Sequence, residues 1–188
     1  MQAAIEPVSP VPDVWLTSCW GYDPATWGCV GFTYESERRN YLDNSTDGSL
    51  FAVYVTGNPA RPESAGMHGN VVGIMEMSRT TGFAEDFIAP EQLARMHAQI
   101  SAGKWRYSVK VRRAWRIVPE EWTAVAEVAP LSYRPGLGRH ISRRGVRLHP
   151  SEAERMLRFT LEEVDVFGGP VAPVSRVHTA TAPPGPAR

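Results

Sequence analysis

The sequence predicts an α+β fold built on a curved or barrel-like sheet with flanking helices. Two observations carry this. Runs with the two-residue alternation of strands are interleaved with isolated helical stretches, and neither βαβ regularity nor a Gly-rich phosphate fingerprint accompanies them. A third observation bounds the size: 188 residues, 43% hydrophobic and 21% charged, suit one ordinary core.

In chain order, residues 1–12 contain three prolines and read as a flexible N-terminal arm. VWLTSCW at 14–20 reads as a strand, and ESERRNYLDN after Tyr34 as a helix that stops at the turn-like NSTDG. LFAVYVTG at 50–57 and NVVGIMEMS at 70–78 are β-rich runs across a Gly/Pro/Asn loop, which predicts an antiparallel pair. PEQLARMHAQISAG combines a Pro start, apolar spacing at Leu93, Met96 and Ile100, and Gly103 as a stop, and so predicts a helix.

The clearest strand is WRYSVKVRRAWRIV at 105–118. Its alternation sets Trp105, Tyr107, Val109 and Val111 on a buried face and Arg106, Ser108, Lys110 and Arg112 on a basic one, with a phase change near Arg113. In HPSEAERMLRFTLEEV, Ser151 followed by Glu154 predicts a capping box for a helix carrying Met156, Leu157, Phe159 and Leu161. Residues 169–188, rich in Pro, Ala and small polar side chains, read as a disordered tail, so the domain is expected over 13–168.

Zero formal net charge argues against indiscriminate adhesion to nucleic acid or acidic membranes. The neutrality is uneven, however. Residues 1–100 carry five Arg against twelve acidic side chains, whereas 101–150 carry two Lys and nine Arg against three Glu. Arg presents the forked planar donor that suits phosphate, and five Arg with one His fall within 133–148 without an acid.

Cys19 and Cys29 make neither a disulfide scaffold nor a four-ligand zinc site. With no signal-peptide pattern and no apolar run of membrane length, a reduced cytoplasmic protein is expected. Hydrolase, P-loop, zincin and zinc-deaminase motifs are missing, and no two of the five His are spaced as a helical metal pair. The expectation is therefore a chain without metal or cofactor and without catalytic residues. The aromatics say more. Trp27 stands in DPATWGCV, after a Pro turn and before Gly28, where an indole can stack on a nucleobase. Cys29 beside it reads as a small packing residue.

The order of these segments resembles the PUA-like superfamily in its EVE and YTH branches, readers of modified bases. TWGCV at 26–30 resembles the element whose Trp forms part of an aromatic cage, and SERRNYL resembles the helix that follows, with the R-N of the EVE branch at Arg39 and Asn40. SLFAVYVTGN with GNVVGIMEM resembles the paired strands. GKWRYSVKVRRAWRIVPEEW resembles the K-W strand of YTH domains, and RPGLGRHISRRGVRLHPSEAERML the closing basic loop, strand and helix. The similarity spans about 14–165.

The resemblance implies a PUA-like curved sheet or pseudo-barrel and a non-enzymatic, defence-associated module that binds a flipped or unstacked base, in DNA before RNA. The second cage aromatic is no Trp here, only Phe83 or Phe87, so the base expected is a methylated cytosine rather than a methyladenine. Trp27 and Phe83 would line the base pocket, with Gly28, Cys29, Thr17, Ser18 and Asn40 at the base's polar edge. Arg134, Arg139, His140, Arg143, Arg144 and Lys104, with Lys110 beside them, would hold flanking phosphates. A separate nuclease or other effector is a possible partner. The competing readings are an RNA-binding PUA-like domain, an ASCH-like amidohydrolase using Lys104, Thr17 and Glu76 on modified nucleosides, and a partner-binding subunit whose pocket is closed by side chains.

Overall fold

Eight strands form one curled, mixed sheet in the computed structural model, which describes residues 13–56, 64, 66–99, 104–134 and 145–169. The strands are β1 (Val14–Cys19), β2 (Cys29–Phe32), β3 (Leu50–Val55), β4 (Asn70–Phe83), β5 (Tyr107–Ile117), β6 (Thr123–Ala124), β7 (Val146–Arg147) and β8 (Leu161–Val164). The order is β2-β5-β4-β3-β1-β7, with β6 on β4 and β8 on β5; β1 and β3 run parallel and the other pairs antiparallel. The helices are α1 (Glu35–Asn44), α2 (Ala84–Phe87), α3 (Pro90–Gln99), α4 (Val125–Val128) and α5 (Pro150–Met156). The architecture is α+β, as expected. Among the described residues no helix is long and apolar enough to cross a membrane.

The alternation of the strands sorts the core. One face gathers Trp15, Phe51, Val53, Val55, Met75, Val109 and Val111, closed by Tyr41 of α1 and by Tyr22. Tyr41 stacks on Phe51 at 4.8 Å and tilts against Phe32 at 5.1 Å, so α1 is held by its ring rather than by an apolar stripe. The other face gathers Leu16, Ala52, Tyr54, Val71 and Ile117 beneath α4 and α5. Each fully buried side chain such as Leu16 or Phe51 contributes about 1.5–3 kcal/mol. A third cluster of Cys29, Ala84, Ile88 and Met96 lies where β2 meets α2 and α3.

The predicted strands, α1, α3 and the β3–β4 pair stand where the sequence puts them. So does the phase change in β5: Val109, Val111 and then Ala114 enter the same cluster, opposite a register shift between Glu76 and Met77. Two expectations are corrected. The basic face of β5 is largely closed to solvent: Arg106, just before the strand, is exposed, but Ser108, Lys110 and Arg112 are all buried. Arg112 is held by Asp47 and Glu76 at 2.6 and 2.8 Å, and the ammonium of Lys110 donates to Gly168 O at 2.9 Å. Long cationic stems lie within the fold when local acceptors receive their heads.

The C-terminal helix is also shorter than predicted. His149, not Ser151, is its N-cap, with Glu152 closing the box, and it ends at Met156. Leu161–Val164 instead forms β8 on β5, where Arg113 and Glu163 make a bidentate pair at 2.9 Å. The edge of β5 between Ala114 and Ile117 needs backbone partners, and this demand prevails over helical spacing.

Candidate functional site

The curl of the sheet brings the segment after β1 against the segment before β5. Two strands, β3 and β4, separate β1 from β5 in the sheet, yet Trp20, just past β1, meets Trp105 edge to face at 4.9 Å and 87°. The turn predicted around Pro24 forms: Thr26 Oγ1 donates to Asp23 Oδ2 at 2.8 Å, and the amide of Trp27 donates to Asp23 O at 2.9 Å. It delivers Trp27, half-buried, onto Cys29, Ile88, Met96, Phe87 and Leu93, with its ring edge-on to Trp105 at 6.3 Å. Trp105 thus makes edge contacts to both other indoles.

Trp105 is held there at a conformational cost. Its φ is +60°, a value that a bulky residue rarely adopts, and the strain is of order 1–3 kcal/mol. Room for it comes from Gly31, where a Cβ would stand 2.8 Å from the Cβ of Trp105 and 3.2 Å from its carbonyl oxygen. Gly31→Ala is therefore expected to displace Trp105 at a cost of about 1–3 kcal/mol, seen as a lower urea midpoint with an altered tryptophan emission spectrum. An unchanged spectrum would show that the seat tolerates a methyl group.

Cations at this end rest on rings. The Lys104 ammonium lies 5.5 Å from the Trp20 ring and 5.7 Å from that of Trp105, and Arg106 lies 5.2 Å from Phe83 and 6.0 Å from Tyr107. Lys110 lies 5.9 Å from Phe87. Among the described residues none of the three has a carboxylate partner, whereas Arg38, Arg112, Arg113 and Arg147 all do. Trp20 is 37% exposed and Phe83 40% exposed. Among the described residues the arrangement offers π faces together with cations that have no carboxylate partner.

The other expected pocket residues do not all converge. Gly28 is buried: its N–H donates to Phe87 O and its carbonyl accepts from the Val111 amide, both at 2.9 Å. A Cβ there would stand 2.4 Å from Phe167 O, so the segment after β8 lies directly on it and its backbone is not free to read a base edge. Thr17 and Ser18 point to opposite faces. Thr17 is buried on the side of Trp15 and Cys19, and Ser18 turns to Tyr54, whose hydroxyl is pushed up to about 12 by burial and by Tyr133, with Ser18 acting the other way. Asn40 is exposed on α1, where its carbonyl receives Asn44 Nδ2. Phe83 lies with Tyr107 and Arg106, two residues along β5 from Trp105.

Cys29 is the packing residue expected. Burial pushes its thiol up to about 11 against the pull of Ser108, and burial with the neighbouring Cys29 pushes Cys19 up to about 12. Both stay protonated near neutral pH and are poor nucleophiles. The hydrolase set disperses: Glu76 is paired in register with Arg113 and bonded to Arg112, while Lys104 precedes the far end of β5 and Thr17 is buried on β1. Arg134 is exposed beside Tyr133, which packs edge-on against Tyr54 on the α4–α5 face. Arg139, His140, Arg143 and Arg144 lie outside the described residues.

Trp20, Trp105 and Arg106 were not singled out in the sequence as site residues. The one readable signal was Gly31, a glycine inside a strand, which marks close approach by another group. Comparison with protein-family models, with curated proteins and with solved structures finds no match to this chain.

Proposed function

We propose that this chain is a non-enzymatic nucleic-acid-binding module that takes an unstacked, modified base of DNA, a methylated cytosine, against the indoles of Trp20, Trp27 and Trp105. The observation that carries the proposal is Lys104, a cation without a carboxylate partner among the described residues, set over the rings of Trp20 and Trp105. A nucleotide supplies both missing halves: a flat ring to stack and a phosphate to neutralise the ammonium. An α+β fold on a curled mixed sheet is compatible with a PUA-like domain of the EVE/YTH type, and that assignment is part of the proposal. Arg139, His140, Arg143 and Arg144, which lie outside the described residues, would provide further phosphate contacts, and any cleavage of the bound DNA belongs to a separate effector.

Titration of fluorescent oligonucleotides with methylated, hydroxymethylated and plain cytosine tests this. The wild type is expected to favour a modified strand, and Trp20→Ala to weaken binding by about five- to a hundred-fold, from roughly 1–3 kcal/mol per stacked base, with a melting temperature lowered by no more than about 5 °C. Lys104→Met is expected to reduce the slope of log K against log salt by about 0.7 on single strands. Equal binding of modified and plain strands would overturn the reader assignment.

A further inference from the structure

We infer that a second base-stacking subsite, formed by Phe83, Tyr107 and Arg106, lies beside the first, so that the ligand is an extended single strand of at least two nucleotides. The inference rests on the base-binding reading above and names the form of its substrate. Phe83 ends β4 directly opposite Tyr107, the first residue of β5, and their rings lie 6.1 Å apart at 45°. The amide of Phe83 donates to Asp86 Oδ2 at 2.8 Å, which fixes the backbone while the ring stays 40% exposed. Arg38 also lies over Tyr107, 5.4 Å from its centroid, and is itself anchored on Gly82 O and Glu35. Arg106, exposed, completes the seat over Phe83.

Four large hydrophobic side chains are exposed among the described residues: Trp20, Tyr34, Phe83 and Leu131. Three belong to this end of the sheet. Trp20 touches Trp105, Phe83 opposes Tyr107, and Tyr34 follows Phe32, the β2 partner of Tyr107. Exposed aromatic side chains in series, with Lys104 over Trp20 and Arg106 over Phe83, match an unpaired strand, whose bases all have a π face.

A duplex keeps the faces of its bases stacked on their neighbours, so exposed rings such as Phe83 are reached by unpaired bases; Trp105 and Tyr107 are two residues apart, at most about 7 Å between Cα atoms. The charge at the second subsite is more balanced than at the first, since Glu85 and Asp86 are exposed on α2 next to Phe83. Its contribution is therefore stacking rather than phosphate neutralisation.

The test is a length series of single strands, DNA and RNA, carrying one 5-methylcytosine: the mononucleotide, the dinucleotide, the trinucleotide and the hexanucleotide, with the hexanucleotide also annealed to its complement. Affinity is expected to rise by about five- to a hundred-fold when the neighbouring nucleotide is added. Phe83→Ala should remove that step and leave the salt slope unchanged, and Phe83→Trp should restore it. A wild type without the step, a Phe83→Ala protein that keeps it, or a duplex bound as tightly as the single strand would overturn the inference. Failure of every strand, the mononucleotide included, would instead overturn the base-binding reading beneath it.

Discussion

Trp27→Ala is expected to lower stability by about 3–5 kcal/mol and to abolish the preference for a modified base. An indole at the wall of an open cage would be removable at little cost to the fold. Trp27 is not placed that way: it is half-buried among Cys29, Ile88, Met96, Phe87 and Leu93 and it supports the strained Trp105. Truncation leaves a cavity beneath Trp105 and removes one of the contacts that hold its positive φ, so ring placement and folding fail together. In a chain of this size the loss corresponds to a fall of roughly 10 °C in melting temperature. Trp27→Phe separates the two effects: it is expected to keep most of the stability while weakening discrimination in the oligonucleotide titration. Full discrimination in the phenylalanine variant would remove Trp27 from the site.

Glu152→Ala is expected to cost at least about 3 kcal/mol, read as a lower urea midpoint. The carboxylate is 1% exposed and accepts from the amides of Leu131 at 2.6 Å, Ser132 at 3.2 Å and His149 at 3.2 Å, and from the hydroxyl of Ser132. Alanine leaves the amides of Leu131 and Ser132 without this acceptor, the His149 amide keeping only Ser132 Oγ at 3.0 Å, and unties α5 from the turn after α4. Burial opposes ionisation of this group, but the donors prevail and hold its carboxyl below the ordinary range. A folded-state value below the unfolded one gives stability that is fully present above about pH 4.3 and is lost as pH falls through the folded value. The urea midpoint of the wild type should therefore fall more steeply between pH 5 and pH 3 than that of Glu152→Gln. Parallel curves would assign the acid limb to other carboxylates.

Most elements were legible because they obey a single period. The run from Tyr107 to Ile117 announces itself by alternation, and Pro90 with the Leu93 and Met96 spacing announces α3. The helix predicted to continue through Leu161 failed because its end is decided by the unpaired edge of β5, a partner far away in sequence. Alternation already separates Thr17 from Ser18 as neighbours on one strand, so their joint placement in a pocket was readable as inconsistent. The turn that carries Trp27 was legible. Trp20 and Trp105 were not, because their meeting depends on the curl of the sheet and on a left-handed backbone at a tryptophan, which no local pattern encodes.

The sharing of β5 between β2 and β8 has a bearing on how the chain reaches this state. One edge of β5 is completed by residues 29–32 and 161–164, from opposite regions of the sequence. Such pairings raise contact order and slow folding, since long loops close before any reward arrives. Until Leu161–Val164 has docked, Ala114–Ile117 presents open N–H and C=O groups to any other chain. The last strand to arrive therefore also guards the nascent protein against edge-to-edge aggregation, and loosening it would be felt first as lost solubility.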